Sequence, residues 1–126
     1  MIEYWFSQQR DWLIAYSLTC VIELPVYLFM LRHLMNSRMI VIGCLLSNTM
    51  THPIFWFLLP DFESLMSNVL AEVGVVAIEC LVFVFIRQIV LRRKFGTKEI
   101  TASAIVANTL SLVVGLLCDR FLLVSV

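Results

Sequence analysis

A chain of 126 residues that is 61% hydrophobic and 14% charged, with mean hydropathy +0.95, is far too apolar for a soluble domain of its size. A formal net charge of zero excludes a global attraction for nucleic acid, so none is expected as a partner. Four cysteines, Cys20, Cys44, Cys80 and Cys118, fall one per apolar run without CxxC spacing, which is neither a disulfide framework nor a zinc signature.

The apolar runs predict an all-α integral membrane protein with transmembrane helices at about 12–31, 39–59, 65–86 and 100–120, each near the ~20 residues that cross a bilayer. Ahead of them, Tyr4, Trp5, Phe6 and Trp12 interleave with Gln8, Gln9, Arg10 and Asp11, as in an interfacial anchor. The first run contains Glu23, lacks a basic n-region and precedes no A-x-A-like site, so it reads as a span and not as a cleavable signal peptide. Pro25 removes a backbone donor and frees the carbonyl of Val21, predicting a bend beside Glu23. Tyr16, Thr19, Cys20, Glu23 and Tyr27 share one helical face.

Span two repeats the device. Pro53 frees the carbonyl of Thr49, with Ser47, Asn48, Thr51 and His52 on the preceding turn, and Pro60 and Asp61 end the span. The connector Asp61-Phe62-Glu63-Ser64 supplies N-cap side chains for span three. Span three carries Asn68, Glu72 and Glu79, and its helix is expected to run on to Phe95 with Gly96 as its stop. Arg92, Arg93 and Lys94 would then meet the inner lipid headgroups. Thr97 and Glu99 suit the start of span four, where Thr101, Ala104, Asn108, Ser111, Gly115 and Cys118 form a stripe of small and polar residues read as a close-packing seam.

Two stretches occur twice. Ile22–Phe29 (IELPVYLF) matches Ile78–Phe85 (IECLVFVF), and Leu46–Thr51 (LSNTMT) matches Val106–Ser111 (VANTLS). Each copy therefore holds one Glu and one Asn, 25 positions apart in the first and 29 in the second. The expected architecture is two tandem helical hairpins, 12–59 and 65–120, related by a pseudo-twofold axis along the membrane normal. Seven of the nine Lys and Arg residues lie in the two hairpin loops, while the opposite connector holds Asp61 and Glu63 and no base. Both loops are thus expected in the cytoplasm and both termini outside, in what reads as a bacterial inner membrane protein.

Depth sharpens the reading. Counted at 1.5 Å per residue from the cytoplasmic ends, Glu23, Asn48, Glu79 and Asn108 all fall ~10–14 Å below the inner edge of the hydrocarbon. They predict a Glu–Asn–Glu–Asn layer at one depth, with Thr51, His52 and Ser111 about one turn outward and Glu72 about two turns beyond Glu79. A carboxylate at mid-membrane costs at least ~2.5–3.5 kcal/mol, so three of them need a reason. Like charges in low dielectric favour a protonated or shared-proton state, and no Lys or Arg inside the spans neutralises them.

The function expected is therefore binding or conduction of a small cation, proton or polar solute through this layer. The alternative is a non-catalytic accessory or assembly subunit of a larger membrane complex. An enzyme is not expected: the spans hold no Ser–His pair, no paired aspartates and no H-E-x-x-H motif. Glu23, Glu72, Glu79 and His52 are of types that suit a divalent metal, but their spacing does not select one, and no metal or cofactor is expected. A bundle this small encloses little volume, so a homo-oligomer or a larger complex in the bilayer is expected. In scale, and in the glutamate of its first span, the chain resembles the small multidrug transporters. The second glutamate and the paired Asn-Thr segments depart from their pattern, so the resemblance implies only that transport is feasible at this size.

Overall fold

The computed structural model describes residues 2–54, 57, 65–92 and 96–123, and the side chains of 9–54, 57, 69–92 and 96–118. Within them the chain forms helices α1 (Ile2–Leu31), α2 (Ser37–Pro53), α3 (Leu65–Phe85) and α4 (Thr97–Leu123), and no strand. The segments Gln9–Leu31, Val69–Val90 and Thr97–Cys118 are each long and apolar enough to cross a membrane. In α2, 17 residues are described; of the outer part of the predicted second span, only Ile54 and Phe57 lie within the described residues. Pro60, the Asp61–Ser64 connector and the side chain of Asn68 lie outside them.

Helix boundaries follow from local chemistry. α1 starts at Ile2, so the aromatic N-terminal stretch forms the first turns of one 30-residue helix. No Gly or Pro interrupts the chain before Pro25, and nothing stops the helix there. Pro25 lies on the exposed face, and α1 continues through it to Leu31. A short connection follows, in which the amides of Leu34 and Met35 both donate to the Leu31 carbonyl. Asn36 then caps α2, its side chain accepting from the Met39 amide at 2.9 Å, which moves the helix start to Ser37. Pro53 is the last α-helical residue of α2, and Ile54 and Phe57 beyond it are π-helical, so the helix geometry changes at the proline.

Two expectations are corrected. The third helix does not run to Phe95. It relaxes into a π-helical turn over Ile86–Val90, closed by Leu91 N–H donating to the Ile86 carbonyl, and stops as Arg92 takes φ +50°. Gly96 has the positive φ, +101°, that glycine tolerates. Yet it serves the next helix: its carbonyl accepts from Ile100 N–H at the start of α4.

The buried seam on α4 shares Ala104 and Asn108 with the expected stripe but differs from it elsewhere. Ile100, Ser103, Ala104, Ala107 and Asn108 are buried, whereas Thr101 is exposed and Gly115 has open space where a Cβ would stand. The close approach occurs at Gly43 in α2, where a Cβ would lie 2.5 Å from the Phe83 ring.

Each helix packs on its chain neighbours, and the contact of α4 with α1, the most extensive of the four, closes a four-membered ring. Both short connections lie at one end, because Arg87 Nη1 donates to the Leu34 carbonyl at 2.7 Å. The buried apolar core is confined to that end: Tyr27, Leu31 and Met35; Ile40 and Cys44; Val82, Phe83 and Ile86; Ile100, Ala104 and Ala107. On every helix these residues lie between the connections and the Glu/Asn positions. Among the described residues, no apolar side chain on the terminal side of those positions is fully buried.

Candidate functional site

Helical spacing prepares the site. Glu23, Tyr27 and Leu31 follow at four-residue intervals on the inward face of α1, as do Glu79, Phe83 and Arg87 on α3 and its π-helical turn. On α2 and α4, the asparagines sit on faces made narrow by Cys44 and Ser47 or by Ala104 and Ala107, which let the carboxylate helices approach. Glu23 and Glu79 are 0% exposed, Asn48 1% and Asn108 5%.

The four side chains meet in two connected pairs. Asn48 Nδ2 donates to Glu23 Oε2 at 2.7 Å, and Asn108 Nδ2 donates to Glu79 Oε2. Each amide is aimed by a second bond from the same nitrogen to the carbonyl one turn back, Cys44 at 3.1 Å and Ala104 at 2.9 Å. Cross-links then join the pairs. Ser111 Oγ reaches Glu23 Oε1 at 3.0 Å, and the Tyr27 hydroxyl donates across the bundle to Glu79 Oε2. Ser111 Oγ lies equally close to the Asn108 carbonyl, so its single proton serves one acceptor at a time; a charged carboxylate is the stronger one. Glu79 Oε1 is buried with no hydrogen-bond partner.

Other predicted residues lie elsewhere. Thr51 is buried, but its hydroxyl donates to the Ser47 carbonyl of its own helix at 3.0 Å and to neither carboxylate. His52 belongs to a separate cluster towards the terminal end, with Nε2 3.1 Å from Thr19 Oγ1 and its ring edge-on to Tyr16. There Thr49 donates to the Leu45 carbonyl, which leaves the Tyr16 hydroxyl to donate to Thr49 Oγ1 at 3.0 Å. Trp12 stacks on Tyr16 at a centroid distance of 5.7 Å. Glu72 is half-buried and takes no hydrogen bond among the described residues. Arg92 is exposed; Arg93 and Lys94 lie outside the described residues.

Tyr27, Gly43 and Arg87 were not singled out as site residues. The signal for Tyr27 was available, since setting Ile22–Phe29 against Ile78–Phe85 aligns its hydroxyl-bearing ring with Phe83. For Arg87 and Gly43 none was. Arg87 read as one more loop base, whereas it is buried against the first connection, and Gly96 lies where a Cβ would come within 3.0 Å of its Nε.

Chemically, the layer is a pair of carboxylates ringed by neutral donors. Among the described residues no Lys, Arg or His pairs with Glu23 or Glu79, whose partners are Asn48, Ser111, Tyr27 and Asn108. Among the same residues, no three His, Cys, Asp or Glu side chains converge as metal ligands would. The interior at this depth is filled by side chains; a shallow apolar concavity of about 440 Å³ lies instead on α1, between Arg10 and Val21. Comparison with protein-family models, characterised proteins and solved structures gave no match.

Proposed function

We propose that this chain is a small polytopic membrane protein that binds a proton or small cation at the Glu23/Glu79 layer and passes it across the bilayer. The observation that carries the reading is two fully buried glutamates on facing helices, each held by an asparagine of the next helix and unneutralised by any base among the described residues. Burial of ionisable groups at this depth is costly enough to be functional by default. Asymmetry in packing supports a route. The apolar core plugs the connection end, while towards the termini the faces are half-buried and carry Thr19, His52 and Glu72. A proton therefore reaches the layer from the terminal side, and passage requires the plug around Tyr27, Leu31, Phe83 and Ile86 to loosen.

The finer architecture belongs to the same proposal. The buried set Ile40, Gly43, Cys44, Ser47, Asn48 and Thr51 reappears as Ile100, Ser103, Ala104, Ala107, Asn108 and the half-buried Ser111 at one constant offset. This register supports two tandem hairpins with a pseudo-twofold axis along the membrane normal. The loop bases support a topology with both connections in the cytoplasm, and the proposed setting is a bacterial inner membrane. A layer this tightly filled favours a proton over a polar solute, and the role is non-enzymatic.

The test is flux. Proteoliposomes with a lumenal pH dye are expected to dissipate an imposed pH gradient with wild-type protein, and to lose that activity with Glu23→Gln or Glu79→Gln. Unchanged flux in both folded variants contradicts the proposal. The filled interior also supports a second reading, an accessory subunit of a larger membrane complex. It predicts fixed-stoichiometry copurification with larger membrane proteins after mild detergent extraction, whereas the first reading predicts the chain alone or as a homo-oligomer.

A further inference from the structure

We infer that the two glutamates divide their labour: Glu79 is the proton carrier, with the proton on Oε1, and Glu23 stays ionised as its fixed counter-charge. This rests on the proposed function and deepens it. The geometry of the four oxygens carries the inference. Glu23 has a donor for each oxygen, Asn48 for Oε2 at 2.7 Å and Ser111 for Oε1 at 3.0 Å. That is the environment of a carboxylate anion, whose charge is spread over both oxygens. Glu79 is different. Both its donors, Tyr27 and Asn108, converge on Oε2, and Oε1 is buried without a partner.

As an anion, Glu79 would bury half a charge on Oε1 with no donor. As a neutral acid it places a carbonyl at Oε2, where two donors suit it, and a hydroxyl at Oε1. An unpaired hydroxyl costs less to bury than an unpaired charge. The surroundings agree. Tyr27 and Asn108 bond Glu79, and the other titratable groups near enough to interact with it are Glu23 and Cys20 of α1, Cys44 of α2, and Glu72 and Cys80 of its own helix; among the described residues no Lys, Arg or His joins them. Two like charges facing each other there disfavour double ionisation, and one proton per layer removes the conflict. The pseudo-equivalent exchange of Tyr27 for Phe83 makes the choice of glutamate unequal: the extra hydroxyl reaches Glu79, and Glu23 receives no phenol.

The test is infrared difference spectroscopy of the full chain in lipid bilayers as pH is cycled, reading the carbonyl stretch of a protonated carboxylic acid. Wild-type protein is expected to show one such buried band at neutral pH, which vanishes in Glu79→Gln and persists in Glu23→Gln. Tyr27→Phe is expected to keep the band and shift its frequency, because the carbonyl loses a donor; this variant keeps the test open if Glu79→Gln does not fold. A band that survives Glu79→Gln, one that is lost in Glu23→Gln alone, a Tyr27→Phe band of unchanged frequency, or no acid band at neutral pH overturns the assignment. Flux separates the two ideas. A Glu79-specific band without flux sinks transport and leaves the assignment standing, whereas flux with a Glu23-specific band does the reverse.

Discussion

Asparagine does two jobs at once in this bundle. One N–H of Asn48 and of Asn108 is spent on the helix's own carbonyl, which fixes the rotamer, and the other meets a carboxylate. Replacing Asn108 by Leu leaves a buried carboxyl group short of a donor, and a loss of about 1–3 kcal/mol in unfolding free energy is expected, read by denaturant titration in detergent. The bond from Tyr27 to Glu79 is tested by a double-mutant cycle of Tyr27→Phe with Glu79→Gln. Hydrogen bonds between membrane helices are worth about 0.6–1.7 kcal/mol, and a coupling in that range is expected; one near zero means the pair is geometric only.

At the scale of the helix, rotation about the axis decides which small residues matter. Gly43→Ala drives a methyl group into the Phe83 ring and is expected to destabilise the bundle by about 1–3 kcal/mol. Gly115→Ala meets open space and is expected to change stability by no more than about 0.5 kcal/mol, measured in the same titration. The sequence pattern puts Gly115 in the expected seam with Ala104 and Asn108, and gives no sign of Gly43. A small-residue stripe shows that a helix can be approached but not from which side, and a shift of one residue turns the face by about 100°. That turn separates the exposed Thr101 from the buried Ile100. The end of α3 failed for another reason. Gly96 has the positive φ that a helix stop requires, but no local pattern tells whether such a glycine closes the preceding helix or opens the next.

Across the whole molecule, depth was the most legible quantity. Counting residues from the loops set Glu23, Asn48, Glu79 and Asn108 at one level, and their side chains meet at that level. Depth could not say which way a side chain turns. Thr51 and His52 lie within a turn of the layer, yet Thr51 bonds its own helix and His52 bonds Thr19. The proposed topology is open to direct labelling. With the native cysteines removed, His33→Cys and Lys98→Cys are both exposed and are expected to react with a membrane-impermeant thiol reagent from the cytoplasmic side; labelling from opposite sides contradicts the paired-hairpin arrangement. The central claim is that the buried carboxylates are a working site and not mere packing. Its most direct measurement sets proton flux beside thermal stability in the same proteoliposome preparations of wild type and the Glu23→Gln/Glu79→Gln double variant. Flux is expected to fall to the lipid background while the protein remains folded, since the amides still accept hydrogen bonds; a double variant that carries protons at the wild-type rate contradicts the account.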